Sequence, residues 1–188
     1  MTTEKTNRCQ WCNMNNPLYV DYHDREWGVP VYDDGKLFEL LLLETFQAGL
    51  SWECVLNKRE AFREAFHQFD YREIAEYKQA KREQLMQNAG IIRNRLKINA
   101  VIVNAGVFMK IQQEFGSFSN YIWHFTDKKI IYEYDKTTSK LSDDIAGDLK
   151  KKGMKFVGST IIYSFLQAVG IINSHEPNCY LYKISSAL

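Results

Sequence analysis

Four groups of residues in this chain have types and spacings that can do chemistry. The first is a single carboxylate, Glu44, in the stretch LLLLETFQAGLSW from Leu40 to Trp52. A helix over Leu37 to Ala48, turning about 100° per residue, puts Leu37, Leu40, Leu41 and Ala48 on one face with Glu44 in its middle, and Glu39 on the far side. An ionised carboxylate without a partner is among the costliest groups to bury. Glu44 therefore needs a chemical reason.

The second group is metal-ligating. His175 and Cys179 stand at H-x3-C near the end, with Cys9, Cys12 and His23 near the start. Neutral imidazole and thiolate suit tetrahedral zinc. Cys9 can pair with Cys12 as a C-x2-C half-site or with His23, and all can equally be unliganded surface residues. A four-ligand set drawn from both ends would tie down two irregular segments, and its role would be structural, since four protein ligands leave no open position.

The third group is aromatic: Tyr19, Tyr22 and Trp27 between Pro17 and Pro30, and Trp52 eight residues beyond Glu44. Such rings stack on a planar base, and a buried carboxylate can then accept hydrogen bonds from its edge and balance a positive charge on it. The plain alternative is that they fill core volume. The fourth is a corner, Gly90-Ile91-Ile92 followed by Arg93, Arg95 and Lys97, which offers backbone N–H groups and three cations to a phosphate. An ordinary helix corner with a solvated basic face reads the same way. The run Lys150-Lys151-Lys152 with Lys155 reads as solvated surface.

The elements that must position these residues are helical. With 188 residues and 45% apolar content, the chain is long enough for one sizeable core, and a single domain over 1–188, of two lobes, is expected. A net charge of +1 advertises no polyanionic partner, so any nucleic-acid contact must come from a local patch. No stretch approaches ~20 uninterrupted apolar residues, and the opening MTTEKTNRCQWC lacks the apolar core of a signal peptide; a cytoplasmic location with reduced or metal-bound thiols is expected. Residues 1–34 read as irregular. After the Glu44 helix and a break at Gly49, a helix is expected from Trp52 to Phe69, then one or two short helices over Tyr71 to Asn88. A hairpin near 85–105 leads into the periodic run Ile98, Val101, Ile102, Ala105, Phe108, Met109. KIIYEYD reads as loop for want of a second strand, a helix is expected at Asp143 to Lys152, and Ser159 is placed as the N-cap of TIIYSFLQAV, which stops at Gly170. The sum is all-α.

PLYVDYHDREWGVP, LFELLLLETFQAGLSW, NAGIIRNRLKI and KKGMKFVGSTIIYSFLQAVGIINSH, followed by Cys179, resemble the 3-methyladenine DNA glycosylase I (TAG) family, over nearly the whole chain from Cys9 to Cys179. The resemblance implies a helix-hairpin-helix glycosylase fold of two helical lobes, a structural zinc on Cys9, His23, His175 and Cys179, and a base pocket of Tyr19, Tyr22, Trp27, Glu44 and Trp52. It implies that Gly49-Leu50 fills the gap left by an extruded nucleotide, that Gly90, Arg93, Arg95 and Lys97 face DNA, and that Glu44 acts in recognition first and in catalysis second. The partners implied are alkylated double-stranded DNA and free 3-methyladenine as product, acted on by a monomer. The chain departs from the family in one extra residue between Cys9 and Pro17, which keeps Cys12 open as a substitute ligand, and in Thr45-Phe46 where a small residue commonly follows the glutamate. That bulkier pair is expected to bear on pocket shape. Two other readings are a zinc-stabilised, non-catalytic DNA-binding module and a pocket for a free purine or nucleoside.

Overall fold

Asp33 accepts a hydrogen bond from the Lys36 backbone N–H and so caps α2 (Asp34–Gln47), the helix that carries Glu44. This is a computed structural model, and it describes residues 7–182, so both ends of the 1–188 span lie outside it. α2 is buried along its whole length from Leu37 to Phe46, because other helices cover more than its apolar stripe. Glu39, on the far side as expected, is buried too. Arg59 Nε donates to its Oε1 at 2.7 Å and Arg63 at 3.0 Å, while both Arg59 terminal nitrogens reach Glu26 at 2.8 and 2.9 Å. A carboxylate held by two guanidinium groups can be buried with its charge; an unpaired one is buried at the cost of that charge.

The chain is mostly helical. α1 (Pro17–Arg25) corrects the expectation of an irregular start: Asn16 accepts from the Leu18 N–H and Pro17 sits in the first turn, where its missing N–H costs nothing. The helix expected over Trp52 to Phe69 is broken into α3 (Trp52–Leu56), α4 (Arg59–Ala65) and a 3₁₀ turn at His67–Phe69. That turn holds three successive residues at positive φ (47°, 55° and 62°) without a glycine. Burial of Phe66 just before the turn and of Phe69 at its end offsets that strain.

Two short helices, α5 (Tyr71–Ala75) and α6 (Gln79–Gln87), precede the Gly90 corner and the 21-residue α7 (Arg95–Phe115), which packs against both α2 and α5. α8 (Phe118–His124) is anchored to the start of α2, where Asp34 accepts from the Phe118 and Ser119 N–H groups. KIIYEYD is not wholly loop: β1 (Ile131–Tyr132) pairs in parallel with β2 (Ile172–Asn173), Ile131 opposite Ile172. α9 (Lys140–Lys151) starts at a Ser139–Ser142 capping box, three residues before the expected point. α10 (Ser159–Ala168) is capped at Gly158, and Ser159 instead hydrogen-bonds Ser142. Among the described residues no helix is long and apolar enough to cross a membrane.

The end of α10 lies directly on the segment after α1. Gly28 N–H donates to Gln167 O and Val31 N–H to Val169 O. Gly170, at φ +72°, comes so close that an added Cβ would stand 2.4 Å from Val29 C and Pro30 N. Gly170→Ala is expected to cost about 3 kcal/mol or more, from backbone overlap plus the left-handed penalty. Urea unfolding measures this; a loss below about 1 kcal/mol would mean that the two segments part without cost.

Candidate active site and metal centre

Because α2 is capped and covered on all sides, Glu44 has nowhere to turn except into a cavity of about 530 Å³ lined by Tyr19, Tyr22, Trp27, Gln47 and Trp52, among others. Glu44 is 2% exposed, and its Oε2 is buried with no hydrogen-bond partner among the described residues. Burial alone pushes its carboxyl up to about 8 from 4.5. The Tyr22 and Trp52 rings stand 5.1 Å apart, tilted by 44°. Burial lifts the Tyr22 phenol well above its ordinary value and the Tyr19 phenol to about 12, with the charge of Glu44 adding to both. All five pocket residues expected from the sequence thus line one cavity.

Thr45 and Phe46 do not. Thr45 Oγ1 donates back to Leu41 O at 3.0 Å, and the Phe46 ring packs 4.6 Å from Phe62, so the departure after the glutamate is absorbed by the core. Two further polar atoms share the position of Glu44: Gln47 Oε1 and Trp52 Nε1 are buried, without a hydrogen-bond partner among the described residues, and their side chains line the same cavity. The sequence signal for Gln47 was its place one turn after Glu44 on the same helix face.

Cys9, His23, His175 and Cys179 are all buried, and their donor atoms lie within 4.8 Å of one another. Cys179 Sγ is 3.5 Å from both His23 Nε2 and His175 Nδ1, and Cys9 Sγ is 3.5 Å from His175 Nδ1. Those are edge lengths of a tetrahedron around an ion with bonds of about 2.0–2.3 Å. The supporting contacts fit as well. His23 Nδ1 is 2.8 Å from Asp24 Oδ1, Asp24 is held down to about 2 by the Arg8 guanidinium, and the Glu176 and Leu181 N–H groups point at the two sulfurs. Burial lowers His175 to about 4 and His23 below its ordinary value, keeping both imidazoles neutral, as ligation requires. Cys12 stands apart, its Sγ turned to Tyr19 O at 3.8 Å.

The remaining sequence candidates divide between exposed and packed positions. Leu50 is 43% exposed and Gly49, at φ +79°, has open space around it; Arg93 and Arg95 are exposed at the start of α7. Gly90 N–H is already taken by Asn88 Oδ1, and a Cβ there would stand 3.0 Å from Ala61, so Gly90 serves close packing. Lys97 needs correcting. It is only 5% exposed, and its Nζ donates to Phe46 O at 2.8 Å and Ala48 O at 2.6 Å. A family model described as methyladenine glycosylase matches residues 11–182. The chain belongs to that family.

Individual relatives agree. The chain is 46% identical to the DNA-3-methyladenine glycosylase 1 of Escherichia coli (strain K12) over 182 residues, covering 93% of this chain and 96% of that one. It is 41% identical to the DNA-3-methyladenine glycosylase of Haemophilus influenzae, over 93% and 97%. A solved structure of a 3-methyladenine DNA glycosylase I variant in complex with 3-methyladenine superposes with a TM-score of 0.90 at 34% identity, over 94% of this chain and 98% of that one. What the sequence of this methyladenine glycosylase did not disclose is the Arg8–Asp24 pair behind His23 and the inward turn of Lys97. Both depend on contacts that no local pattern encodes.

Proposed function

We propose that the chain is a monofunctional DNA glycosylase that extrudes 3-methyladenine from alkylated double-stranded DNA and hydrolyses its N-glycosidic bond, leaving an abasic site and free base. The observation that carries this is the unpartnered Glu44 Oε2 beside the Tyr22 and Trp52 rings. A purine in DNA bearing a methyl on N3 is cationic. The glycosidic bond breaks with its electron pair moving to the base, water adds to the sugar carbon, and the water's proton is released. The net positive charge is conserved and moves from purine to sugar, so one carboxylate close to both keeps a partner throughout. Glu44 therefore selects the charged base and supports the charge as it moves. Neutral adenine would leave it unpaired.

The four Cys and His donors hold a structural Zn²⁺, and the tetrahedron they complete leaves no place for substrate. Leu50 enters the gap left in the stack, and Arg93 and Arg95, at the hairpin of a helix-hairpin-helix motif, meet backbone phosphates. The unit is a single two-lobed domain over 1–188, acting as a cytoplasmic monomer. A DNA-binding module without catalysis leaves Glu44 Oε2, Gln47 Oε1 and Trp52 Nε1 unexplained. Incubation with methylated duplex DNA and chromatography of the released bases tests the proposal: 3-methyladenine is expected. Binding without release, or release only from free nucleosides, would overturn it.

A further inference from the structure

Lys97 is an anomaly in three respects. It sits in the first turn of α7, the positive end of that helix dipole, where a cation is disfavoured. It is buried, which lowers its ammonium below the ordinary value. And it makes no contact with a carboxylate among the ion pairs of the described residues. What it does instead is close another helix. α2 ends at Ala48 with backbone angles that leave its last carbonyls without helical partners. Leu50 N–H takes Gln47 O, and Lys97 Nζ takes both Phe46 O and Ala48 O. One ammonium thus sits on the negative end of the α2 dipole and fixes the turn Ala48-Gly49-Leu50.

We infer that Lys97 is a positioning residue that couples the phosphate-facing hairpin to the extrusion turn. Its backbone lies two residues from Arg95, and its head group holds the carbonyls that precede Leu50. α2 carries Glu44 and Gln47 just upstream of the same carbonyls. Docking of Arg93 and Arg95 on the DNA backbone therefore bears on where Leu50 stands in the duplex, through the Lys97 side chain and the Ala48-Gly49-Leu50 turn, which the Leu50 N–H closes on Gln47 O. That side chain is held at its far end by two hydrogen bonds.

The inference rests on the glycosylase reading, and the experiment separates the two. Lys97→Met keeps the stem and removes the ammonium; Lys97→Gln keeps one donor and is the second variant should the first not fold. Each is compared with the unaltered chain for affinity toward free 3-methyladenine and for single-turnover release from methylated duplex and single-stranded DNA. The free base is expected to bind within about twofold in every folded variant. Release from duplex should fall by about 100-fold for methionine and 10-fold for glutamine, the scale of a 1 Å misplacement, with a smaller loss on single strands, where there is no stack to enter. Wild-type release from duplex by either folded variant overturns the inference, as does an equal loss on duplex, single strand and free base, which marks a merely structural lysine. An unaltered chain that releases no base overturns the glycosylase reading, and this inference falls with it.

Discussion

Glu44→Gln is expected to weaken binding of a cationic purine by about 100-fold while making the empty protein more stable above neutral pH; the first follows from losing charge-assisted hydrogen bonds of ~3 kcal/mol. The two effects come from one fact, that Glu44 is wholly buried with an unpartnered oxygen. Its folded value, about 8, lies above its ordinary 4.5, so the folded state binds the proton more tightly than the unfolded chain. Stability from this group is complete below about 4.5 and is lost as pH rises toward 8, a penalty on the order of 4 kcal/mol for ionising it in the empty pocket. Glutamine never ionises. The variant should match the wild type at pH 4 in urea unfolding and exceed it at pH 8.

The same proton governs binding. A permanently charged probe such as the 3,9-dimethyladeninium cation pairs with ionised Glu44, which is the minor form below 8. Its affinity is expected to rise about tenfold per pH unit from 6 toward 8 and then level off, with one proton released per molecule bound. In Glu44→Gln the profile should be flat. Equal affinity of variant and wild type for the cation, at pH 8, would remove the carboxylate from recognition. Titration calorimetry in buffers of different ionisation heat reads both the affinity and the released proton.

How much of this was legible in the sequence depends on how local each cause is. Glu44 in an apolar helical face is a three-turn pattern, and both the helix and the burial follow from it. The Asn16-Pro17 start of α1 is equally local and carried a cap signature, yet the turn-like composition around it outweighed the signal. Nonlocal causes are a different matter. Cys9 and His175 are 166 positions apart, so spacing alone left Cys12 and His23 as rival partners until the fold brought four donors together. β1 exists only because Ile172 lies opposite Ile131, and two-residue strands have no periodicity to detect. Charge is least legible of all: Arg93, Arg95 and Lys97 read as one basic run, but the first two face water and the third is inside. Glu39 is the mirror case, its burial set by Arg59 and Arg63 from another helix.

Stripping the metal site should abolish base binding before it unfolds the protein. One wall of the Glu44 cavity is made of residues adjacent in sequence to the ligands: Gln10 and Trp11 after Cys9, Ser174 and Glu176 beside His175, Asn178 before Cys179. Trp27, on the same wall, has its ring edge-on to His175 at 4.7 Å and its backbone hydrogen-bonded to that imidazole. Gln10 N–H in turn donates to both oxygens of Glu176, so the segments that carry Cys9 and His175 meet as part of the pocket. The core around α2, α7 and α10, by contrast, is built mostly from residues between Leu37 and Ile172, and the two cysteine ligands, Cys9 and Cys179, join it from outside that span. Chelation, or Cys179→Ala, is therefore expected to leave most helical circular dichroism in place while lowering affinity for 3-methyladenine by 100-fold or more, since an unligated wall must be ordered at the expense of binding energy. Fluorescence of Trp11 and Trp27 should shift with it, and Zn²⁺ should restore both in the chelated wild type but not in Cys179→Ala. Undiminished affinity in the stripped protein would confine the metal to joining the Cys9–His23 and His175–Cys179 segments. Simultaneous loss of helicity and affinity would make the four-donor cluster part of the global fold, and the pocket wall would have no separate dependence on it.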